Sequence, residues 1–578
     1  MADVDQRYIN HPYTRDLPFS VKELCTNWYT RSSKEVISYL PMMKPRQGAV
    51  ISGNSGKTEL HTSGESEFNS SSSDSDVVED ENQFVNLSKK EQRAVCWNMF
   101  IAAGNLFSDG FANSNTSVIS LGLSTVYGDE YTNSTAIGNV SSIVFAGTIL
   151  GMIFGGLWAD NWGRKSGLLV SNALLIVFII LCAGAWGAHT TLNPPKEGGL
   201  FAAIIAYRFF LGVGIGAEYP LGSAMSADVS QHMQKSQRSK WFCWFTNCAI
   251  DWGFVLSSFI AYIVAVICGK NHINTIWRVT VGIGAIFPMI FFVLRLFMKE
   301  GDTFKKNRFT KKVPYVLIYR YYWFRILIIS ISWFIYDISA YGFSSFSSII
   351  LANVEGGSPS VIQTLGWNCL FNVFYLPGCM LGGIFTATYG PRLTGGVGVI
   401  VQSIIGFAMA GAFETLRKHI AGFTVMFGIF STLGEFALGN QMGLLATLSF
   451  PPECRGSAYF ICSVIGKVGA FASGWIFPRL ITHAGGYSST AGLASPYWLS
   501  CSLGCFAGFL ILVFLHPMDA KSQDEEQMKF RFYLEQNGFD LTTLGDHVVE
   551  AEVESLQTEN KSFEGKENTK VRTNSTIE

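Results

Sequence analysis

The stretch Gly155-Gly-Leu-Trp-Ala-Asp160-Asn-Trp-Gly-Arg164-Lys165 lies between two long apolar segments and decides the fold of this chain. Its glycines permit a tight turn, because glycine adopts backbone conformations that other residues avoid. Asp160 is close in sequence to Arg164 and Lys165, so the three side chains can form a charge cluster that locks neighbouring helices in one state. We therefore expect a short loop with a gating or structural role between two helices.

A second copy of this pattern, Gly382-Gly-Ile-Phe-Thr-Ala-Thr-Tyr-Gly-Pro-Arg392, follows at an offset of 227 residues. Ala387 and Pro391 replace the Asp and the Arg of the first copy, so we expect the charge cluster in the first half alone. At the same offset, Arg208 aligns with Glu435. Two loops and two helices in one register predict duplicated six-helix halves with a path between them.

Composition places the chain among membrane proteins, since 48% of its 578 residues are hydrophobic and only 15% are charged. Apolar segments of about twenty residues recur, the length that a helix needs to cross ~30 Å of hydrocarbon. They predict helices at approximately residues 95–127, 138–158, 168–188, 200–226, 242–268, 276–298, 323–351, 364–388, 394–413, 420–447, 456–482 and 495–516. The predicted fold class is an all-α membrane protein with twelve transmembrane helices in two six-helix halves.

The distribution of charge predicts five regions. They are a disordered cytoplasmic N-terminal tail, a first six-helix half, a basic cytoplasmic linker, a second half and a cytoplasmic C-terminal tail, at residues 1–90, 91–298, 299–322, 323–516 and 517–578. The segment from Ser63 to Glu81 is rich in Ser, Asp and Glu and cannot bury enough surface to fold alone. The tails are candidate sites for kinases or a ubiquitin ligase; the alternative is that they confer only solubility.

Positive charge is concentrated in the linker and in the loops that contain Arg164 and Lys235. Basic loops stay on the cytoplasmic side, which places both termini inside and the loop from Asp129 to Gly138 outside. Asn133, in the sequence Asn-Ser-Thr, is then predicted to accept a glycan. The polar first ten residues do not resemble a cleaved signal peptide. We therefore expect a multi-pass protein with both termini in the cytoplasm.

Several ionisable side chains lie inside the predicted apolar segments, where a charge costs ~2.5 kcal/mol or more on insertion scales. We single out five acids and two bases: Asp109, Glu218, Asp251, Asp337, Glu435, Arg208 and Lys467. A desolvated carboxyl can take up and release protons near neutral pH, which is the chemistry that a proton-coupled carrier requires. For Arg208 and Glu435 the alternative is a structural ion pair near the cytoplasmic end.

One of these acids, Asp337, and two aromatic residues near it point to a binding site on the predicted seventh helix. Trp333, Asp337 and Tyr341 are spaced i, i+4 and i+8, so they share one helical face. An indole, a carboxyl and a phenol on one face can line a site for a polar solute. The alternative is an aromatic core, which would not require the Asp.

The sequence does not indicate an enzyme. Residues 53–58, Gly-Asn-Ser-Gly-Lys-Thr, resemble the end of a nucleotide-binding loop, but Ile51 occupies the place of the first glycine of that motif. The 12 cysteines are scattered, most of them in apolar runs, so neither a disulfide framework nor a zinc site is implied. We expect no cofactor, no metal and no nucleic-acid partner.

The loop that opened this section resembles the signature between the second and third helices of the major facilitator superfamily, G-x-x-x-D-x-x-G-R-K. Residues 214–223, Gly-Ile-Gly-Ala-Glu-Tyr-Pro-Leu-Gly-Ser, are similar to the fourth-helix signature of its phosphate:proton symporter family. The seventh-helix pattern W-x-x-x-D-x-x-x-Y of that family is also present. Ala112 stands where the inorganic-phosphate carriers have a second Asp. Ala217-Glu218 and Asp251-Trp-Gly-Phe look more like the fungal glycerophosphoinositol and glycerophosphocholine permeases.

This resemblance implies a proton-coupled symporter that imports glycerophosphodiesters by alternating access across the plasma membrane. It implies that the phosphate is surrounded by Tyr219, Trp333, Asp337, Tyr341, Asn440 and Lys467. It further implies that protons are handled by Asp109 and Glu218, to which we add Asp251 as a third carboxyl. The alternatives are an inorganic phosphate:proton symporter and a nutrient receptor that signals through its tails.

Overall fold

The computed structural model of the chain describes residues 88–132, 134–188, 196, 198–230, 238–269, 272–298, 313–355, 361–486, 489–517 and 520–541. The predicted disordered tail up to residue 87, most of the basic linker, the glycan acceptor Asn133 and residues 542–578 lie outside this part of the chain. All regular structure in the described residues is helical, as the apolar periodicity of the sequence predicts.

Twelve helical segments, α1 to α12, form the bundle. They are α1 (Lys89–Ala103 and Leu106–Tyr127), α2 (Ala136–Asn161), α3 (Arg164–Ala183), α4 (Leu200–Ser230), α5 (Arg238–Phe245 and Asn247–Cys268), α6 (Ile273–Ile283 and Ile286–Leu296), α7 (Tyr315–Glu355), α8 (Val361–Val373 and Tyr375–Tyr389), α9 (Pro391–Gly411), α10 (Ile420–Gly434, a π-helical turn Glu435–Gly439, and Asn440–Leu448), α11 (Arg455–His483) and α12 (Thr490–Phe514). Short helices at Asp129–Thr132 and Phe413–Arg417 connect some of them.

Among the described residues, 11 helices are long and apolar enough to cross a membrane, namely α2 to α12. The segment α1 falls below that hydropathy because its second piece carries polar side chains, several of them buried, including Ser108, Asp109, Ser114 and Asn115. Polar residues on a spanning helix normally face the interior of a bundle. The α1 segment thus completes the set of twelve, and its polarity marks it as part of the interior wall.

Two boundaries differ from the sequence prediction. Helix α7 begins at Tyr315, inside the predicted linker, because Ile318, Tyr321 and Tyr322 are buried against the rest of the protein. The predicted C-terminal tail contains a further helix, α13 (Ala520–Gln536). Its mean hydropathy is too low for a membrane span, so the apolar segments of the sequence did not predict it.

Glycines allow the helices that face each other to approach closely. A Cβ atom at Gly147 would lie 2.0 Å from the carbonyl oxygen of Phe209, and one at Gly216 would lie 2.0 Å from that of Thr148. No side chain fits at such a contact, so α2 and α4 pack backbone against backbone. Glycines recur every four residues on both helices, at Gly147, Gly151 and Gly155 on α2 and at Gly212 and Gly216 on α4. They are therefore packing residues.

The predicted repeat register holds for the loops and fails for α10. At the α2–α4 contact, a Cβ at Gly151 would lie 2.1 Å from the carbonyl oxygen of Val213. At the matching α8–α10 contact, a Cβ at Gly378 would lie 2.1 Å from the carbonyl oxygen of Thr432. Gly378 follows Gly151 by 227 residues, but Thr432 follows Val213 by only 219.

The difference of eight residues arises in the connections. Residues 184–199 join α3 to α4, whereas the shorter stretch 412–419 joins α9 to α10. The structural counterpart of Arg208 is consequently Phe427, and that of Glu435 is Gly216. The predicted pairing of Arg208 with Glu435 by symmetry is wrong, because equal offsets in sequence are not preserved across connections of unequal length.

We call the end of the bundle where α1 begins and α12 ends the terminal end, and the opposite end the far end. At the terminal end, α2 of the first half contacts α11 of the second. Helix α13 also packs there, with Tyr321 of α7 stacked near Phe530 and Tyr533 at ring-centroid distances of 5.4 and 4.6 Å. The C-terminal helix thus covers part of the second half at this end.

Candidate functional site

A central cavity of about 620 Å³ lies between the two halves. Helices α4 and α5 of the first half and α7, α8, α10 and α11 of the second contribute its walls. Its polar lining consists of Tyr219, Asn247, Asp251, Trp333, Tyr336, Asp337, Tyr341, Ser344, Tyr375, Glu435 and Lys467. The predicted face of Trp333, Asp337 and Tyr341 therefore does line a cavity.

Lys467 provides the positive charge in this wall. Its Nζ donates hydrogen bonds to Asp337 Oδ2 at 3.0 Å and to the Tyr341 hydroxyl at 2.7 Å. The same atom lies 4.1 Å from the centre of the Tyr341 ring and 5.3 Å from that of Tyr219. An ammonium has three N–H donors. Two are engaged with protein atoms, which leaves one for an anion in the cavity.

Packing between α7 and α11 fixes these side chains. A Cβ at Gly466 would lie 2.7 Å from Trp333 Cδ1, and one at Gly469 would lie 2.4 Å from the carbonyl oxygen of Phe334. The two glycines beside Lys467 thus let α11 approach α7 so closely that the ammonium reaches Asp337. This explains why the Gly-Lys-Val-Gly pattern and the aromatic face occur together.

Two further carboxyls face the cavity from opposite halves. Glu435 of α10 accepts hydrogen bonds from the Tyr336 hydroxyl and from Asn247 Nδ2, both at 2.9 Å. Asn247 Nδ2 also lies 3.5 Å from Asp251 Oδ2 on the same helix, α5. Glu435 begins the π-helical turn, where Ala437 leaves helical geometry with φ −86° and ψ −109°. Such turns often mark functional sites.

Glu218 does not face this cavity and instead pairs with an arginine that the sequence reasoning missed. Its two carboxylate oxygens accept hydrogen bonds from Arg295 NH1 at 2.7 Å and NH2 at 2.8 Å, and both side chains are fully buried. Ser171 also donates to the carboxylate. Arg295 donates in addition to Asn172 Oδ1 at 3.0 Å and to the Ala102 carbonyl at 2.9 Å.

Arg295 could have been found from the sequence. It interrupts the apolar run Phe291-Phe-Val-Leu-Arg-Leu, and a charge inside such a run normally has a partner. Arg295 was missed because only Arg208 and Lys467 were counted as bases in the apolar segments. The cavity-lining residues Asn247, Tyr336 and Tyr375 were also missed, because polar and aromatic side chains are common on membrane helices and give no comparable signal.

Asp109 belongs to a buried group of charged and phenolic side chains. It is fully buried, and neither carboxylate oxygen has a hydrogen-bond partner among the described residues. It is within electrostatic range of Glu218 and Arg295, and also of Tyr219 and Tyr341, which line the central cavity. The three carboxyls assigned to proton handling therefore occupy different environments: Asp109 without a donor, Glu218 in an ion pair, and Asp251 at the cavity wall.

Two predicted positions are corrected. Asn440 is buried outside the cavity lining and donates to the carbonyl oxygen of Cys379 on α8 at 2.6 Å. Arg208 lies toward the far end, whereas we predicted it near the end that holds the termini, because α4 begins at the far end. Its guanidinium donates to the Val140 carbonyl at 2.9 Å and to Thr116 Oγ1 at 2.5 Å.

The charge cluster of the α2–α3 loop connects the two halves at the terminal end. Asp160 accepts hydrogen bonds from the backbone N–H groups of Gly456 at 3.2 Å and Ser457 at 2.7 Å, and from the Ser457 hydroxyl. These groups form the N-terminus of α11, where a carboxylate is electrostatically favourable. Arg164 donates to the Ala224 carbonyl of α4 at 3.0 Å. Asp160 thus bridges the halves, whereas Arg164 acts within the first.

A second cavity of about 810 Å³ adjoins the central one on the side of the far end. The two share Phe254, Tyr341, Ser344 and Tyr375, and the second is lined by polar residues of α1 such as Asn113 and Ser117. On the side of the terminal end, Asp160 and the Ser223–Tyr459 hydrogen bond of 3.1 Å join the halves. The path between the halves is closed at the terminal end and extends toward the far end.

Comparisons with known proteins agree with this architecture. Residues 101–474 match the family model described as Major Facilitator Superfamily. A solved proton:xylose symporter, XylE, matches with a TM-score of 0.60 at 18% identity, covering 72% of this chain and 94% of that one. This likeness concerns the fold alone.

The most similar relatives include two permeases of Candida albicans. A glycerophosphocholine permease is 38% identical over 541 residues, which are 93% of this chain and 94% of the relative. A major glycerophosphoinositol permease is 37% identical over 539 residues, which are 92% of this chain and 94% of the relative. The prediction of a membrane carrier rather than an enzyme is confirmed by these relatives.

Proposed function

We propose that this chain, which belongs to the major facilitator superfamily, imports glycerophosphodiesters together with protons across the plasma membrane. The names of its relatives support this substrate class. The observation that carries the proposal is the position of Lys467, whose ammonium faces the central cavity between the rings of Tyr219 and Tyr341.

The charges of the cavity fit a phosphodiester better than inorganic phosphate. A phosphodiester carries one negative charge, which the free N–H of Lys467 and the hydroxyl and indole groups of Tyr219, Tyr341 and Trp333 can bind. Inorganic phosphate is divided between a monoanion and a dianion near neutral pH, whereas a phosphodiester remains a monoanion. Asp251 and Glu435 line the same cavity and would repel that dianion more strongly. Asn440 has no direct part in this site.

We assign the transported proton to Asp109. A buried carboxylate without a donor is costly, so Asp109 is best accommodated as a neutral acid in this state. When the terminal end opens, water can reach Asp109 and the proton can leave. Glu218 is already held by a guanidinium and contributes the charge that keeps Arg295 in place.

Transport then follows from alternating access of the central cavity. We take the terminal end as cytoplasmic because the basic loops lie there, which makes the described arrangement closed to the cytoplasm. Opening requires Asp160 to leave the N-terminus of α11 while the far ends of the halves approach each other. Protonation removes the charge of Asp109, and Lys467 offsets the charge of the anion. Both effects lower the free-energy cost of reorienting the loaded carrier through the apolar interior.

The test is uptake of labelled glycerophosphoinositol and glycerophosphocholine in cells that lack their own phosphodiester carriers. We expect uptake that increases as the external pH falls and that is lost in Asp337→Asn, because Lys467 then loses its countercharge. Surface abundance is measured in parallel. Accumulation of inorganic phosphate with neither diester taken up would overturn the proposed substrate class.

A further inference from the structure

We infer that a side cavity inside the second half is a subsite for a hydroxyl-rich ring headgroup of the substrate, a cyclitol such as inositol. This inference rests on the proposed function and deepens it. The side cavity has about 590 Å³ and lies among α7, α8, α9, α10 and α12. It shares Tyr336, Ala340, Tyr375 and Glu435 with the central cavity, so a ligand held at Lys467 can extend into it.

The wall of the side cavity carries a buried hydroxyl group without a partner. Ser339, Ser431 and Ser500 line the cavity. Ser500 is only 4% exposed, and its Oγ is buried without a hydrogen-bond partner among the described residues. Buried polar groups nearly always have a partner, so the Ser500 hydroxyl favours a polar guest in this space.

Two other groups extend this polar wall. Gln402 Nε2 donates a hydrogen bond to the Phe430 carbonyl oxygen at 3.2 Å. The amide oxygen of Gln402 remains as an acceptor. Glu435 lies where the side cavity meets the central one, on the π-helical turn, and offers carboxylate lone pairs. Hydroxyls, an amide oxygen and a carboxylate together complement the paired donor and acceptor character of a polyol.

Aromatic rings form the rest of the wall. Phe343, Phe430 and Tyr375 line the same cavity and can cover the carbon skeleton of the headgroup. A trimethylammonium headgroup also suits aromatic rings and a carboxylate. It can neither donate nor accept conventional hydrogen bonds, however, so it would leave the buried Ser500 hydroxyl unpaired at a cost in binding. The observations therefore favour a polyol over a choline headgroup.

The experiment measures ligand-induced thermal stabilisation of the purified full-length protein with glycerophosphoinositol, glycerophosphocholine and glycerol 3-phosphate. Ser500→Leu fills the side cavity, and Ser500→Ala removes the hydroxyl without adding volume. Ser502→Ala is the matched control, because Ser502 is exposed on the same helix and its hydroxyl donates to the carbonyl oxygen of Trp498, one turn earlier in α12. Unliganded melting temperatures report whether each variant is folded.

We expect the wild-type protein to bind the inositol diester more tightly than the choline diester. Ser500→Leu should weaken glycerophosphoinositol binding at least roughly tenfold and Ser500→Ala roughly threefold, in line with one lost hydrogen bond. Both should leave glycerol 3-phosphate within about twofold of wild type. The subsite is overturned if Ser500→Leu and Ser500→Ala both bind glycerophosphoinositol as tightly as wild type. It is also overturned if these variants lose affinity for all three ligands in parallel. Tighter binding of the choline diester would overturn the polyol assignment. If the wild-type protein binds neither diester, the proposed function itself fails.

Discussion

Asp109 and Glu218 lie in one buried cluster, but only Glu218 has hydrogen-bond donors. This difference separates a carboxyl that can exchange a proton from one that holds an arginine. In Asp109→Asn, transport should no longer depend on a proton. We expect the acid stimulation of uptake to disappear, because lowering the pH accelerates wild-type uptake only by supplying the proton that Asp109 carries.

The measurement is glycerophosphodiester uptake between about pH 5 and 7, together with counterflow exchange in vesicles at equal pH on both sides. Exchange should persist in Asp109→Asn, since it does not require net proton movement. Asp109→Glu serves as the conservative control and should retain acid stimulation. If Asp109→Asn is stimulated by acid as strongly as wild type, the proton is carried elsewhere, with Asp251 or Glu435 as the next candidates.

The Glu218–Arg295 pair makes a prediction about stability. Removing one member of a buried ion pair leaves an uncompensated charge and typically costs about 3–5 kcal/mol. Arg295→Met should therefore lower the melting temperature and the yield of the purified protein strongly. The double variant Glu218→Gln/Arg295→Met should recover much of that loss, because no charge is then left alone. Equal melting temperatures for the single and double variants would contradict the pairing.

At the scale of helices, α13 is held to the bundle by a buried acid. Glu453, in the loop between α10 and α11, accepts hydrogen bonds from Gln527 at 2.6 Å and Arg531 at 3.0 Å. Burial raises the pKa of Glu453, and the Arg531 guanidinium opposes that shift. Because the docked carboxyl has the higher pKa, the docked state binds more protons, and docking strengthens as the pH falls.

In Arg531→Ala, α13 should leave the bundle near neutral pH. It should dock again in acid, where Glu453 is protonated. Hydrogen exchange of residues 520–541 measures this directly. Glu453→Gln added to Arg531→Ala should restore docking at neutral pH, since no charge is then buried. Glu535→Ala, at an exposed position of the same helix, should change nothing. Protection of α13 that is unaltered by Arg531→Ala would mean that other contacts hold the helix, namely the packing on Tyr321 and the Arg325–Glu526 ion pair at 3.2 Å.

The two halves also show how far helix-level inference from sequence reaches. The repeated loop predicted a duplicated architecture, and Lys165 and Arg392 indeed donate to the last carbonyls of equivalent helices, at Leu296 and Leu512. The helix pairing carried over from the same offset was wrong, because the connection before α10 is shorter. Loops that build the same turn preserve a register, whereas connections between helices are free to change length.

At the scale of the whole molecule, transport requires the contact between α2 and α11 to form and break. A Cβ atom at Gly156 would lie 2.3 Å from Phe460 Cδ1, across the boundary of the two halves. Gly156→Val should therefore prevent full closure of the terminal end. We expect slower uptake and greater reactivity of a cysteine placed in the central cavity toward a cytoplasmic thiol reagent.

Two variants control this prediction. Gly156→Val combined with Phe460→Ala should recover uptake, because the smaller side chain makes room for the added atoms. Gly138→Val, on the same helix, should be neutral, since a Cβ there meets no atom within 4 Å. Normal uptake and unchanged thiol reactivity in Gly156→Val would show that this contact does not limit the transport cycle.

The sequence by itself determined the number of helices, the turn between α2 and α3, and the face of α7 that lines the central cavity. These features are set by local physics: the length of an apolar run, the turn that glycines allow, and the spacing that puts Trp333, Asp337 and Tyr341 on one face. The lysine of the site was also evident, because a cation in an apolar helix is costly without a purpose.

Only the tertiary structure decided which charges meet. Arg295 pairs with Glu218, Arg208 bonds to neighbouring helices at the far end, and Asn440 donates to the backbone of α8. Each outcome depends on how far one helix is rotated and shifted against another. Helical periodicity fixes the relative directions of side chains within a helix, but the packing of the complete bundle sets which face meets which partner.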